Sequence, residues 1–244
     1  MFNNNSKVLP ISCICSIYEK TYLDELTIAI DSLMLQEFIP DEIIIIVDGI
    51  IKKDIIPLLN HLKNDKDNFK VFHIQENKGL GFALKYGLTK CKHEIVARFD
   101  SDDINLKDRL KIQYDFLKDN PNIAIVGSDI IEFNKVEKYF TIKKMSKNIQ
   151  IGLNYMVRNP LNHPTVVFRK KDIIKVGSYK NITYFEDYEL WLRCIKKGLI
   201  LKNINETLVA MKRTNLFSRR NGLKYALCEF RFLYEIVKQG TIKQ

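Results

Sequence analysis

Three carboxylates fall within four residues at the end of an apolar run: Asp100, Asp102 and Asp103 in ARFDSDDINLKDR, Ala97 to Arg109. Like charges crowded this closely repel one another unless a cation or a set of N–H donors offsets them. The cluster is therefore either a solvated acidic turn ahead of the next helix or a binding site. As a site it suits a hard divalent cation, because Mg2+ or Mn2+ takes one or two protein carboxylates together with phosphate oxygens. A second acidic pair, Glu186 and Asp187, stands in YFEDYELWLRCIKK beside Tyr184 and Phe185. Helix N-capping accounts for one of these carboxylates and leaves the other unexplained.

The elements that must position these groups follow from hydrophobic periodicity. VLPISCICSI reads as a strand, and LDELTIAIDSLMLQ puts Leu23, Leu26, Ile30, Leu33 and Met34 on one helical stripe. EIIIIV is unbroken and apolar up to Asp48-Gly49, as in a parallel strand covered on both faces. A helix near 52–63, the strand FKVFHI, the helix GLGFALKYGL, the strand EIVARF, a helix stopped by Pro121 and the strand IAIVGS complete the series. This βαβ order predicts an α/β fold with a mostly parallel, twisted sheet and helices on both faces. In such sheets ligands collect at the carboxyl ends of the strands, where Ser16 to Glu19, Asp48-Gly49 and the acidic cluster all fall.

Composition narrows the partners. A chain of 244 residues with 46% hydrophobic content is long enough to bury a large core. The start, MFNNNSKVLP, has no basic-then-apolar signal pattern, and no run of about 18 apolar residues suggests a membrane span, so a cytoplasmic protein is expected. Five cysteines, an odd number, argue against a disulfide framework, and Cys91 with His93 lacks the second ligand pair that zinc requires. The formal charge of +10 admits polyanionic partners, but the basic residues form no block and no nucleic-acid-binding motif accompanies them. A calcium loop starting at Asp100 would need an oxygen ligand, Gly and Glu where the chain has Ile104, Asn105 and Lys111. A phosphatase with an aspartyl nucleophile would open its domain with Asp-x-Asp and follow it with a small hydroxyl residue. Here three strands come first and Ile104 follows.

The segments ISCICSIYEK, EIIIIVDG, ENKGLGFALKYGL, VARFDSDD, NHPTVVFRK and GSYKNITYFEDYELWLR, in that order, resemble the family 2 inverting glycosyltransferases of the A-type fold. The likeness is to the bacterial subgroup that builds capsule, exopolysaccharide and O-antigen, and it runs from Ile11 to about Lys212. Many relatives read Asp-Asp-Gly-Ser after the second strand, where this chain reads Asp48-Gly49-Ile50. The resemblance implies a UDP-sugar donor, a glycan or lipid-linked glycan acceptor, a Mn2+ or Mg2+ cofactor and no nucleic acid. Ser16, Tyr18, Glu19 and Asp48 would contact uracil and ribose. Asn77, Lys78 and Gly79, at a helix start whose N–H groups favour anions, would meet the phosphates. Asp100 and Asp102 would hold the metal, with Asp100 and Ser101 also on the nucleotide sugar. Arg98, two residues before Asp100 on the same strand face, either offsets its charge in the site or forms a structural ion pair. Asp103 would support the loop or contact sugar. Asp187 would be the catalytic base of the inverting displacement, and Glu186 would orient it or bind acceptor.

On the acceptor side, Asn162 and His163 stand at the mouth of a short strand, where they touch sugar or metal or simply pack. Trp191 shares the buried side of its helix with Leu190 and Cys194 and is also a candidate for the sugar. The expected organisation is a catalytic domain over 1–213, with a nucleotide-sugar half (8–130) and an acceptor half (131–213), followed by an amphipathic extension over 214–244. In that extension Leu223, Ala226, Leu227, Phe230, Leu233, Tyr234 and Val237 form a stripe near Arg219, Arg220, Lys224, Arg231 and Lys238. The stripe either packs on the domain or a second subunit, or docks on the anionic inner face of the cell membrane. Two other classes compete. A nucleotidyltransferase would show a Gly-rich basic loop after the first strand, which ICSIYEK lacks, and a non-catalytic sugar-binding module would not need FEDYELW.

Overall fold

The structure, a computed structural model, describes residues 7–65, 67–106, 108–134, 139–146, 159–213 and 222–238. Its parallel half comprises β1 (Lys7–Ile17), β2 (Phe38–Asp48), β3 (Phe69–Ile74) and β4 (Ile95–Arg98), in the order β3-β2-β1-β4. The helices between them are α1 (Leu23–Met34), α2 (Ile55–Asp65) and α3 (Leu80–Lys90). The unbroken isoleucine run of β2 is explained by burial on both faces. Ile43, Ile45 and Val47 join α1 and α2 in one core, while Ile44 and Ile46 join Ala83, Leu84 and Leu88 of α3 in the other.

Beyond β4 the sheet becomes mixed. The remaining strands are β5 (Ile104–Asn105), β6 (Ile123–Asn134), β7 (Tyr139–Lys143), β8 (Val167–Arg169) and β9 (Ile200–Lys212). β8 lies antiparallel between β4 and β6, β9 runs parallel to β6, and β5 and β7 pair antiparallel with β9 and β6. The parallel reading thus holds from β1 to β4; beyond them β5, β7 and β8 pair antiparallel, and β8 and β5 are only three and two residues long. Segments so short carry too few side chains to show a period. β6 also spans the expected division near residue 130, so the two halves share one sheet.

Helix α4 (Arg109–Asp119) covers the α1 face, and α5 (Lys170–Lys175) and α6 (Glu186–Lys196) cover the α3 face. The last helix, α7 (Leu223–Lys238), packs through Phe232, Tyr225 and Cys228 against Phe185, Tyr188 and Leu192 at the start of α6. Arg219 and Arg220 lie outside the described residues, as do the side chains of Leu223, Lys224, Val237 and Lys238. All five cysteines are free thiols. No described helix is long and apolar enough to cross a membrane.

Candidate functional site

At the end of β4 the chain leaves the sheet and turns through Asp100 to Asp103. One oxygen from each of Asp100, Asp102 and Asp103 lies within 4.8 Å of the others. Arg98 is buried and pairs through Nη2 with Asp100, while its Nε and Nη1 have no hydrogen-bond partner among the described residues. Asp103 is buried too. Its Oδ1 accepts the Lys212 N–H of β9 at 2.9 Å, and its Oδ2 has no partner among the described residues. Burial and then the neighbouring Asp100 charge push Asp102 up to about 6. The same causes, with Asp102 added, hold Asp103 well above the usual carboxylate range. The cluster thus carries more negative charge than its surroundings compensate, and it offers an orphaned buried oxygen. Both features fit a hard divalent cation.

Across the crevice, Ser16 and Tyr18 are half-buried and Glu19 is exposed, with the turn closed by Tyr18 N–H donating to Thr21 Oγ1 at 3.1 Å. Asp48 is committed to the chain itself. Its Oδ1 accepts the Lys78 N–H and its Oδ2 the Gly79 N–H, each at 2.8 Å, and its carbonyl accepts Asn77 Nδ2 at 3.2 Å. The amides expected to meet phosphate are therefore already engaged by a carboxylate, which is the anion an α3 N-terminus favours. Lys78 Nζ pairs with exposed Glu76 at 2.8 Å. Gly79 sits at φ 88°, where a side chain would be strained. At Gly81 a Cβ would come within 2.1 Å of the Lys180 carbonyl oxygen, so only glycine lets α3 approach the segment leading to α6.

The second acidic pair opens α6. The residue before it, Phe185, is the N-cap and makes no side-chain cap, so the first-turn N–H groups are met from within the helix instead. Tyr184, at φ 72°, turns the chain sharply into the pair and is exposed, whereas Phe185 is buried and stacks on Phe232 of α7 at 4.7 Å. Asp187 Oδ2 accepts Asn159 Nδ2 at 2.7 Å, and its Oδ1 accepts the Tyr188 N–H at 2.7 Å. Burial raises the Asp187 carboxyl, opposed by these two bonds, and burial with the Asp187 charge pushes Glu186 up to about 7. His163 lies with Nδ1 4.0 Å from Asp187 Oδ2 and shares a hydrogen bond of 3.1 Å between Nε2 and the Tyr179 hydroxyl. Burial holds its pKa well below the usual imidazole value, so it is neutral.

The family described as Glycosyl transferase family 2 matches residues 12–188, which include both acidic groups. The chain belongs to glycosyl transferase family 2. It is 36% identical over 95% of its length to the Escherichia coli protein named UDP-Gal:alpha-D-GlcNAc-diphosphoundecaprenol beta-1,3-galactosyltransferase, covering 84% of that protein. Amylovoran biosynthesis glycosyltransferase AmsE of Erwinia amylovora is 32% identical over 95% of the chain and 88% of that protein. Among solved structures, S. aureus TarS 1-349 in complex with UDP-GlcNAc superposes with a TM-score of 0.73 at 16% identity, over 96% of this chain and 68% of that one. At that identity the match speaks for the A-type glycosyltransferase fold alone. Membership of the family answers the two competing classes, since this is an enzyme and a glycosyltransferase.

Within this family 2 glycosyltransferase the structure narrows several roles that were left open. Trp191 is fully buried between His163 and Tyr179 and presents no face to a sugar in this conformation. Asp103 supports the loop by clasping β9, which leaves Asp100 and Asp102 as the carboxylates with exposed surface in the cluster. Asn162 donates to the Ser128 carbonyl at 3.2 Å and braces β6 rather than facing the crevice. Asn159 escaped notice, although it stands four residues before His163 in RNPLNHP. Arg109 also escaped: it lies buried beneath the acidic loop, donating to the Arg98 carbonyl at 2.7 Å, to Gln113 Oε1 at 3.0 Å and to Asn105 Oδ1. Its position four residues before Gln113 within α4 is a helical-spacing signal, whereas its bond to Asn105 of β5 is set by the turn between them.

Proposed function

We propose that this glycosyltransferase moves a hexosyl residue, of glucose or galactose type, from a UDP-sugar to a glycan or lipid-linked oligosaccharide of a surface polysaccharide, with inversion at the anomeric carbon. One observation carries the reading. The buried Arg98 guanidinium pairs with Asp100, and its charge is also felt at Glu186, Asp187 and His163, which supports placing the two acidic groups at one site. That arrangement suits a displacement in which a leaving diphosphate and an attacking hydroxyl stand on opposite sides of one carbon.

Asp102 and Asp100 would hold Mn2+ or Mg2+, which when bound neutralises charge on the departing diphosphate. The protein does the rest through its own side chains. Asp187 accepts the acceptor hydroxyl proton as that oxygen bonds to the anomeric carbon and the bond from that carbon to the β-phosphate oxygen breaks, releasing UDP. Asn159 fixes the Asp187 carboxylate, and neutral His163 and Tyr179 close the apolar wall behind it. The galactose type is favoured by the E. coli relative, whose name specifies galactosyl transfer from UDP-Gal to a diphosphoundecaprenol-linked GlcNAc.

The test is a screen of UDP-hexoses against a lipid-diphosphate-linked GlcNAc acceptor, with and without chelator, alongside Asp102→Ala. Expected are transfer with one or two UDP-hexoses, loss in chelator, and loss of Mn2+-dependent UDP binding in the variant with its thermal transition unchanged. Undiminished transfer in excess chelator would overturn the metal assignment, and transfer only from donors other than UDP-sugars would overturn the donor class.

A further inference from the structure

Helix α7 is two-faced. Phe232 is buried, and Tyr225 and Cys228 pack with it against Phe185, Tyr188 and Leu192 of α6. The opposite face carries Leu227, Phe230, Leu233 and Tyr234, which are 61%, 71%, 41% and 56% exposed. At 100° per residue these four span about one third of the helix circumference as a single stripe. Beside that stripe stands Arg231, which is exposed. Four large apolar side chains left in water on one side of an otherwise anchored helix mark an interaction surface.

We propose that this face of α7 docks on an anionic lipid bilayer, with the helix lying in the plane of the headgroups. Charge complementarity selects this occupant. An apolar stripe with the exposed Arg231 beside it matches the acyl boundary beneath a layer of negative headgroups, and the chain's net charge of +10 adds long-range attraction. A second copy of the chain would bring the same Arg231 and the same net charge against its own, which opposes self-association. Docking would also orient the enzyme. The inner face of α7 is seated on the first turn of α6, which begins with Glu186 and Asp187, so the acidic pair is fixed relative to the bilayer. The binding itself is independent of the transfer reaction.

The experiment is co-sedimentation of the full chain with vesicles of phosphatidylglycerol and phosphatidylcholine, or of phosphatidylcholine alone, containing no donor or acceptor. Binding to the anionic vesicles is expected to fall as salt rises and to be much weaker on the neutral ones. Leu227→Ser with Phe230→Ser and Tyr234→Ser changes only exposed side chains and is expected to lower binding by on the order of 100-fold, with the circular dichroism spectrum unchanged. Arg231→Glu, a milder change, is expected to lower it about tenfold at low salt. Failure of the parent protein to bind anionic vesicles, or binding of both variants at the parental level, would overturn the proposal. So would a parent that is dimeric by light scattering and becomes monomeric in the triple variant without binding vesicles, since the face would then be a subunit interface.

Discussion

Replacing Asp187 by Asn tests the acid pair most sharply, because the structure separates its effect on chemistry from its effect on folding. Asn keeps the shape and removes the base. General-base catalysis contributes about 10²- to 10⁴-fold, or roughly 3 to 5 kcal/mol of barrier, so kcat is expected to fall by that factor with UDP-sugar affinity unchanged. On stability two effects oppose. Asp187 accepts hydrogen bonds from both Asn159 Nδ2 and the Tyr188 N–H, and an amide can satisfy only one of these donors, a cost of about 1 to 3 kcal/mol. Against this, burial raises the Asp187 pKa, so its ionised form weakens the fold as pH rises through that pKa, and Asn removes the penalty. The thermal transition is therefore expected to move by only a few degrees. The assay is initial-rate transfer at saturating donor, with UDP affinity by calorimetry and the anomeric configuration of the product by NMR. A variant that transfers at the parental rate, or a product that keeps the donor's configuration, would refute both the base assignment and the inverting mechanism.

Two further outcomes are expected. Glu186→Gln should retain turnover within about tenfold, since an orienting group is lost rather than the base. Glu186 is raised from 4.5 to about 7, so the parent protein loses stability from this group as pH climbs from near 4.5 through about 7. The variant should lack that decline and be the more stable by roughly 1 to 3 kcal/mol at pH 8, as measured by urea denaturation across pH. Equal pH slopes in the two proteins would contradict the desolvated setting beside Asp187 assigned to Glu186. Gly81→Ala should cost about 2 to 4 kcal/mol, because its Cβ would lie 2.1 Å from the Lys180 carbonyl oxygen and 3.0 Å from the carbonyl carbon. An unchanged denaturation midpoint would mean that α3 does not approach that segment so closely.

What the sequence made legible divides along the sheet. EIIIIV declares itself because a parallel strand between helices is apolar on both faces, and the spacing of Leu26, Ile30 and Leu33 declares α1. β9, ILKNINETLVAMK, mixes polar and apolar residues without a clean period, and β5 is too short for one. The acidic cluster and the Glu186-Asp187 pair were visible as crowded charge. Their partners were not, because hydrogen bonding is settled by tertiary contacts. Nothing local in the sequence says that Asp48 is spent on the amides of Lys78 and Gly79, thirty and thirty-one residues away. Nor does it say that Asp103 reaches Lys212, or that His163 is desolvated beside Tyr179.

Arg109 gives the acidic loop a property that a list of carboxylates would not. Its guanidinium is buried and fully bonded, and burial lowers its pKa to about 10, still far above neutrality. It therefore places a permanent positive charge under Asp100 and Asp103 without occupying a single carboxylate oxygen. Its bonds to the Arg98 carbonyl and to Asn105 tie together the two ends of the loop, an arrangement that favours a site organised before a ligand arrives. Lysine could supply the charge there, but its single nitrogen lacks the planar fork that reaches the Arg98 carbonyl, Gln113 and Asn105 at once.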